Sequence, residues 1–77
     1  MPQYFFDYLD GIRAFRDDEG TRLPGLKHAR AEALRAIGGV AREEMAGSDR
    51  RDLQISIRQD DGPVIMVVSL AVRVENT

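Results

Sequence analysis

The sequence predicts an α+β fold of the ββαββ type, a four-stranded antiparallel sheet with one helix packed on one face. Two patterns lead to this prediction. Apolar and polar residues alternate over residues 53–58, as in a half-buried strand, and apolar residues recur at helical spacing over residues 26–45. The 77 residues, 43% hydrophobic and 31% charged, have the size and balance of a single small α+β domain spanning residues 1–77.

The first two strands are predicted to form a hairpin. Gln3 to Leu9 is rich in aromatic residues and ends at Asp10-Gly11, a pair suited to a type I′ turn because both positions tolerate positive φ. A tight turn at this pair places Phe6 opposite Phe15. Apolar side chains fall on both faces of the hairpin, so the sequence leaves open which face is core.

Arg16 to Gly25 is predicted to be a loop, and the helix is predicted to begin near Leu26. Gly38-Gly39 lies in the middle of this helix, where each glycine costs roughly 1 kcal/mol relative to alanine. A kink or early end near residue 37, the close approach of a second backbone, and simple tolerance all remain open as explanations. The apolar stripe of the helix comprises Leu26, Ala29, Ala33, Leu34, Ile37, Val40, Ala41 and Met45.

A second hairpin is predicted after a loop over residues 47–51. Its strands run from Asp52 to Gln59 and from Val64 to Glu75, and pairing across the turn between them puts Ile57 opposite Met66. The longer strand is expected to outrun its partner at residues 72–75. Its predicted helix-facing residues are Val64, Met66, Val68, Leu70, Val72 and Val74.

Composition and charge exclude several classes of protein. The chain has no cysteine, so it has no disulfide framework, thiolate nucleophile or cysteine-ligated metal. The net charge of −2 disfavours nucleic-acid binding. The N-terminus lacks a basic region, and the longest apolar run, Val64 to Val68, is too short to cross a bilayer. We therefore expect a cytoplasmic protein that does not bind membranes.

Five acidic residues near the N-terminus are the densest group of oxygen ligands: Asp7, Asp10, Asp17, Asp18 and Glu19. Asp10 is explained by turn chemistry, and a tight hairpin puts Asp7 and Asp17 on different faces. A solvated loop is therefore favoured over a metal site.

The remaining candidates for a site lie on the helix. His28 is the sole histidine, and no serine or threonine stands at triad spacing from it. Together with Arg35 and Arg42 it lies on the polar side of the helix, where the three are weak candidates for contact with an anion or nucleic acid. Glu32 and Glu43 beside them reduce the positive electrostatic potential of this surface. The sequence predicts no catalytic residue, cofactor or metal, and hence a protein that is not an enzyme.

Several short segments carry a resemblance to known proteins: Pro2-Gln3-Tyr4-Phe5-Phe6-Asp7, Asp10-Gly11, Asp17-Asp18-Glu19-Gly20, Leu23-Pro24 and Ala29-Arg30-Ala31-Glu32-Ala33. Together they resemble a family of short bacterial proteins known as a domain of unknown function, which implies a fold and a bacterial source but no activity. Residues 3–37 also look like the N-terminal half of ribonuclease-H-like antitoxins, which bind a small toxin.

The strongest sequence feature for function is an apolar surface. The alternate residues of the last strand, Ile65, Val67 and Ala71, point to the side of the sheet away from the helix. Either Phe5, Leu9 and Ile12 or else Tyr4, Phe6 and Tyr8 join them there, and Phe5 is named with the three strand residues as a candidate for the interface. Large exposed apolar patches on small proteins usually mark association sites. We therefore predict a non-enzymatic protein–protein interaction or regulatory module that acts as a homodimer through the open sheet face or the strand edge. An antitoxin-like partner of a small toxin and a weak nucleic-acid binder are the alternatives.

Overall fold

The computed structural model describes residues 1–44, 47 and 50–77. Its elements in chain order are β1 (Gln3–Asp10), β2 (Arg13–Phe15), β3 (Thr21–Arg22), α1 (Leu26–Glu44), β4 (Arg50–Gln59) and β5 (Val64–Arg73). One helix and an antiparallel sheet confirm the α+β class. The predicted ββαββ order with four strands is wrong, because Thr21–Arg22 in the expected loop pairs with β1 as a fifth strand.

The sheet has the strand order β2-β1-β4-β5. The short strands β2 and β3 pair with opposite ends of β1, while β4 pairs with β1 on one side and β5 on the other. The long antiparallel pairing of β1 with β4 joins the two halves of the chain. It places β5 at one edge of the sheet and β1 with its two short partners at the other.

The first turn differs from the prediction by one residue. Asp10 pairs with Arg13 and Tyr8 with Phe15, so the turn residues are Gly11 and Ile12. Among the described residues of this turn only Gly11 has positive φ, at 60°. That is the type II′ pattern, which needs glycine at the first central position and spares the β-branched Ile12 a left-handed conformation.

The second hairpin confirms the predicted pairing of Ile57 with Met66 and, with it, the helix-facing register of β5 up to Val72. A register shift between Ile57 and Arg58 brings Val64 opposite Arg58, so Val64 does not join the core. The predicted overhang is also wrong. The strand β4 begins at Arg50, two residues before the expected start, and pairs with β5 as far as Arg73.

The core lies between the helix and the middle of the sheet. Its fully buried members come from α1, β1 and β4: Ala29, Ala33, Ile37, Tyr4, Leu53, Ile55 and Ile57. Phe6 and Tyr8 pack against them, which makes their side of β1 the core face. The opposite face of β1, with Phe5 and Leu9, therefore lies on the side of the sheet away from the helix.

The helix runs without interruption from Leu26 to Glu44, so the early end near residue 37 does not occur. A Cβ built on either Gly38 or Gly39 meets no atom within 4 Å apart from its chain neighbours and the backbone of the helix itself. Neither glycine is therefore required for packing within the chain. Leu26 and Leu34 of the predicted apolar stripe are exposed, and Met45 lies outside the described residues.

Candidate functional site

The two edges of the sheet are built differently, and this difference defines the candidate site. On the β1 side, β2 covers residues 8–10 and β3 covers residues 3 and 4. On the β5 side, a ten-residue strand has no further strand beside it in the part of the chain that the structure describes. An exposed strand edge is a template for pairing with another chain unless it is short, charged or covered.

A side chain closes the gap between β2 and β3. The Asp17 carboxylate accepts a hydrogen bond from the backbone N–H of Phe6 at 3.0 Å, at the point of β1 that neither short strand reaches. Its other oxygen accepts the N–H groups of Glu19 and Gly20 at 3.1 and 3.0 Å, which fixes the loop. Gly20 has φ 72°, and a Cβ there would lie 2.9 Å from the Phe5 ring.

An ion pair ties the same loop to β4. Arg58 donates from Nε to Asp7 Oδ2 at 2.6 Å and from Nη2 to Asp7 Oδ1 at 3.0 Å. It also donates to the Asp17 carbonyl at 3.1 Å, and its guanidinium lies 4.9 Å from the centre of the Phe5 ring. The Asp17 N–H donates to Asp7 at 3.0 Å. The β1 edge is therefore closed by a network that reaches two strands into the sheet.

The pKa values of these acids follow from their partners. The hydrogen bond from Arg58 lowers the pKa of Asp7 below 3.8, against a smaller opposing effect of burial. Burial by itself raises the pKa of Asp17, but the N–H groups of Gly20, Phe6 and Glu19 together outweigh it, so the net shift is downward. Asp10 has a pKa lowered by its hydrogen bond to Arg51. These acids are structural anions that stay charged at neutral pH.

This geometry corrects the expectation that Asp7 and Asp17 lie apart in a solvated loop. They are in direct contact, and Arg58 bridges them. Asp18 forms an exposed pair with Arg16 at 3.7 Å. Among residues 1–44, 47 and 50–77, no three acidic or histidine side chains converge on a point where a metal ion could bind.

The opposite edge, formed by β5, presents unpaired backbone groups. The Gly11 N–H donates to the Asp52 carbonyl at 3.2 Å, so the backbone of Asp52 points toward the β1 side of β4. Backbone groups of successive residues point to opposite sides of a strand, so Ile55 and Ile57 point toward β5 and pair with Val68 and Met66. The groups that remain face outward from the sheet and belong to Val67, Ser69 and Ala71.

The core side of β5 is less buried than that of β4. Met66, Val68, Leu70 and Val72 all pack against the core, yet all four are only half-buried, whereas the three apolar residues facing them on β4 are fully buried. The core therefore remains partly open along this edge. The only charged residue within β5 is its last, Arg73, and the strand contains no proline. Between the register irregularity near its start and Arg73 at its end, the stretch from Met66 to Val72 lacks the devices that usually protect an edge.

The four predicted interface residues lie on the side of the sheet away from the helix, but not in one patch. Ile65 and Val67 are 40% and 49% exposed on β5, and Ala71 is exposed beyond them. Phe5 lies on β1, under the guanidinium of Arg58. The β4 residues between them on this face are polar: Asp52, Gln54, Ser56 and Arg58. The apolar part of the predicted surface is therefore a strip along the β5 edge, and Phe5 is separate from it.

The predicted basic candidates do not form a concentrated site. His28, Arg35 and Arg42 are exposed along α1 at intervals of two turns. Arg35 forms an ion pair with Glu32 one turn earlier, which neutralises part of the positive charge on this side of the helix. A patch that binds nucleic acid needs clustered, unneutralised charge.

Two surface grooves border the sheet. One, of about 360 Å³, lies between α1 and the sheet and is lined by Phe6, Thr21, Glu32, Arg35, Ala36 and Ile55. The other, of about 260 Å³ on the open face, includes Asp7, Leu9, Ala14, Arg16, Gln54 and Ser56. The charged groups in both already have partners: Glu32 with Arg35, Asp7 with Arg58, and Arg16 with Asp18.

Sequence reasoning missed the network around Arg58 and the pairing of Asp10 with Arg51. Both join β1 to β4 across more than 40 positions of sequence, at separations of 51 and 41. One local signal was available. Asp17 stands three residues before Gly20, and an aspartate at this spacing commonly accepts backbone N–H groups in an Asx-type turn.

These features define a small α+β protein whose single described helix covers one face of an antiparallel sheet and whose sheet has one closed and one open edge. The chain belongs to the family described as a domain of unknown function (DUF6894), which matches residues 3–71. No curated protein and no solved structure shows significant similarity to it. Within the described residues, no helix combines the length and the apolarity that a membrane span requires.

Proposed function

We propose that this protein is a non-enzymatic interaction module that acts as a homodimer, and that its working surface is the outer edge of β5. A second copy adds its own β5 to this edge, and the two sheets become one. The observation that carries the proposal is the contrast between the two edges. One is closed by two short strands and a carboxylate, and the other presents an unprotected stretch of strand from Met66 to Val72.

The core supports a second copy as the occupant. Half-buried apolar residues on the helix-facing side of β5 gain burial when another strand lies beside them, and so do Ile65 and Val67 on the other side. A domain of this size buries only about 60% of its unfolded-chain surface, so association adds stability that the monomer lacks. The uncharged interior of β5 also presents no repulsion to an identical strand.

A proline on the free edge gives the most direct test. The Ser69 N–H points outward, so Ser69→Pro removes a donor that the β4–β5 ladder does not use, and proline is tolerated on an edge strand in that orientation. We expect the variant to keep its circular dichroism spectrum but to sediment as a monomer at high micromolar concentration. Ser69→Ala keeps the N–H and is the matched control, which should remain dimeric like the unmodified protein.

The alternatives give different outcomes in the same experiment. If the unmodified protein sediments as a monomer of 8.6 kDa, the homodimer proposal is wrong. The β5 edge would then bind a different protein, as the antitoxin-like alternative requires. If Ser69→Pro is folded and still dimeric, the interface lies elsewhere on the molecule. The weak nucleic-acid binder requires a gel shift at low salt that Arg35→Ala and Arg42→Ala abolish. A cytoplasmic location and a bacterial source stay predictions of the sequence.

A further inference from the structure

We infer that the two copies meet with Ser69 on the two-fold axis and that their α1 helices pack against each other across that axis through Leu34. This inference rests on the homodimer proposed above and specifies its geometry. It concerns two features that the single chain leaves unexplained. One is an exposed leucine on the helix, and the other is a mid-helix glycine with empty space around it.

The register follows from the hydrogen-bonding pattern of β5. The outward-facing backbone groups belong to odd-numbered residues, so an antiparallel partner must pair odd with odd and even with even. The irregularity next to Arg58 excludes the first residues of β5, which leaves Met66 to Arg73 in regular pairing with β4. The uncharged part of this stretch runs from Met66 to Val72, and its centre is Ser69. A two-fold axis there pairs the uncharged part with itself and sets Val67 opposite Ala71 of the second copy.

This register puts both helices on the same face, because residues paired across neighbouring strands point to the same side of a sheet. The helix packs on β4 and β5 alike, so its axis lies above the space between them. Each axis is then about one strand spacing from the two-fold axis, which gives an interhelical distance of about 10 Å. Packed helices lie 8–10 Å apart.

The residues of α1 that face away from β1 are the ones that would meet the second helix. Ala36 and Glu32 line the groove with Phe6 of β1, so they face the β1 side. Leu34 lies about 160° around the helix from Ala36 and therefore faces the β5 edge. It is 43% exposed there. Gly38 follows one turn later on the same flank, where the missing side chain lets a second helix approach closely.

Single cysteines test the register, because the natural chain has none. Two cysteines at residue 69 would have Cα atoms about 5.5 Å apart, within disulfide range. We expect Ser69→Cys to form a covalent dimer under mild oxidation. Gln54→Cys should not, because Gln54 lies opposite Ser69 on β4, one strand further from the second copy. A dimeric protein in which Val67→Cys or Ala71→Cys forms the disulfide, and Ser69→Cys does not, would overturn the register while leaving the homodimer in place.

The two neighbouring glycines test the helix contact. A Cβ at either position has open space within the chain, so both Gly38→Ala and Gly39→Ala should raise the thermal stability of the monomer, measured on dilute protein. Only Gly38 faces the second helix. We expect Gly38→Ala to weaken the dimer at least about tenfold, because an added methyl overpacks a close contact, and Gly39→Ala to leave it unchanged. Equal dimer affinities of the two variants would refute the helix contact, and a monomeric parent protein would instead refute the proposed function.

Discussion

Removing the Asp17 carboxylate should destabilise the fold by opening the β1 edge. This side chain accepts three backbone N–H groups, and those of Phe6 and Gly20 are partly buried. In Asp17→Ala these N–H groups lose an ionised acceptor. A hydrogen bond to a charged group contributes about 1.5–3 kcal/mol, and water replaces part of the loss at the exposed Glu19, so we expect a total cost of about 2–4 kcal/mol.

Two further variants separate the parts of this effect. Asp17→Asn keeps an oxygen for the Glu19 and Gly20 N–H groups but turns an amide toward Phe6, so it should cost about 1–2 kcal/mol. Asp18→Ala removes the neighbouring acid, whose side chain is 84% exposed, and should change stability by less than about 0.5 kcal/mol.

The assay is urea unfolding followed by circular dichroism at one fixed protein concentration, because association contributes to the stability of a dimer. The predicted order of stability is unmodified protein, Asp18→Ala, Asp17→Asn and then Asp17→Ala. If Asp17→Ala and Asp18→Ala unfold at the same urea concentration, the carboxylate does not hold the edge and the reasoning is wrong.

Four other predictions concern the pH dependence of stability, two glycines and the edge strand. Because Arg58 lowers the pKa of Asp7 below 3.8, this pair stabilises the fold fully above the unfolded-state pKa. Its contribution should be lost progressively as the pH falls below the unfolded-state pKa and through the lowered folded-state pKa, and Arg58→Gln should flatten the dependence of unfolding free energy on pH over that acidic range. Gly20→Ala should cost about 2–4 kcal/mol in chemical unfolding, since it combines a φ of 72° with a contact to Phe5. Gly11→Ala, with φ 60° but open space, should cost about 1–2 kcal/mol. Val67→Lys should keep the helical and strand signals but raise the dimer dissociation constant in sedimentation by about tenfold or more, because it places a charge at the paired edge.

Local patterns were sufficient for the elements that have one strongly periodic face. The alternation of Leu53, Ile55 and Ile57 predicted both the strand and its pairing with Met66, since a shift of one residue would turn every apolar side chain outward. The spacing of Ala29, Ala33 and Ile37 likewise predicted which side of the helix is buried.

The features that the sequence did not predict depend on contacts between distant segments. Thr21–Arg22 is too short to have a periodicity, and it is a strand only because Gln3 and Tyr4 lie beside it. The first turn shifted by one residue because the register is set jointly with β4, where Asp10 lies opposite Leu53.

The candidate site could be predicted only in part, because part of it depends on contacts between distant segments. The apolar strip of Ile65, Val67 and Ala71 follows from alternation along one strand, and the structure places these residues on the open side. That Phe5 lies apart from them could be known only once β4, with polar residues on this face, was placed between β1 and β5.

Amide hydrogen exchange of β5 tests the central claim most directly, because it distinguishes pairing at this edge from any other mode of association. In a monomer, the N–H groups of Val67, Ser69 and Ala71 face water and exchange fast, while those of Val68 and Leu70 are held by β4. Strand pairing predicts that the three outward amides become protected from exchange at high micromolar concentration and lose that protection on dilution. They should also lose it in Ser69→Pro, where the amides of Val67 and Ala71 are measured because proline has no N–H. Fast exchange of these amides in a sample that sediments as a dimer would contradict the claim.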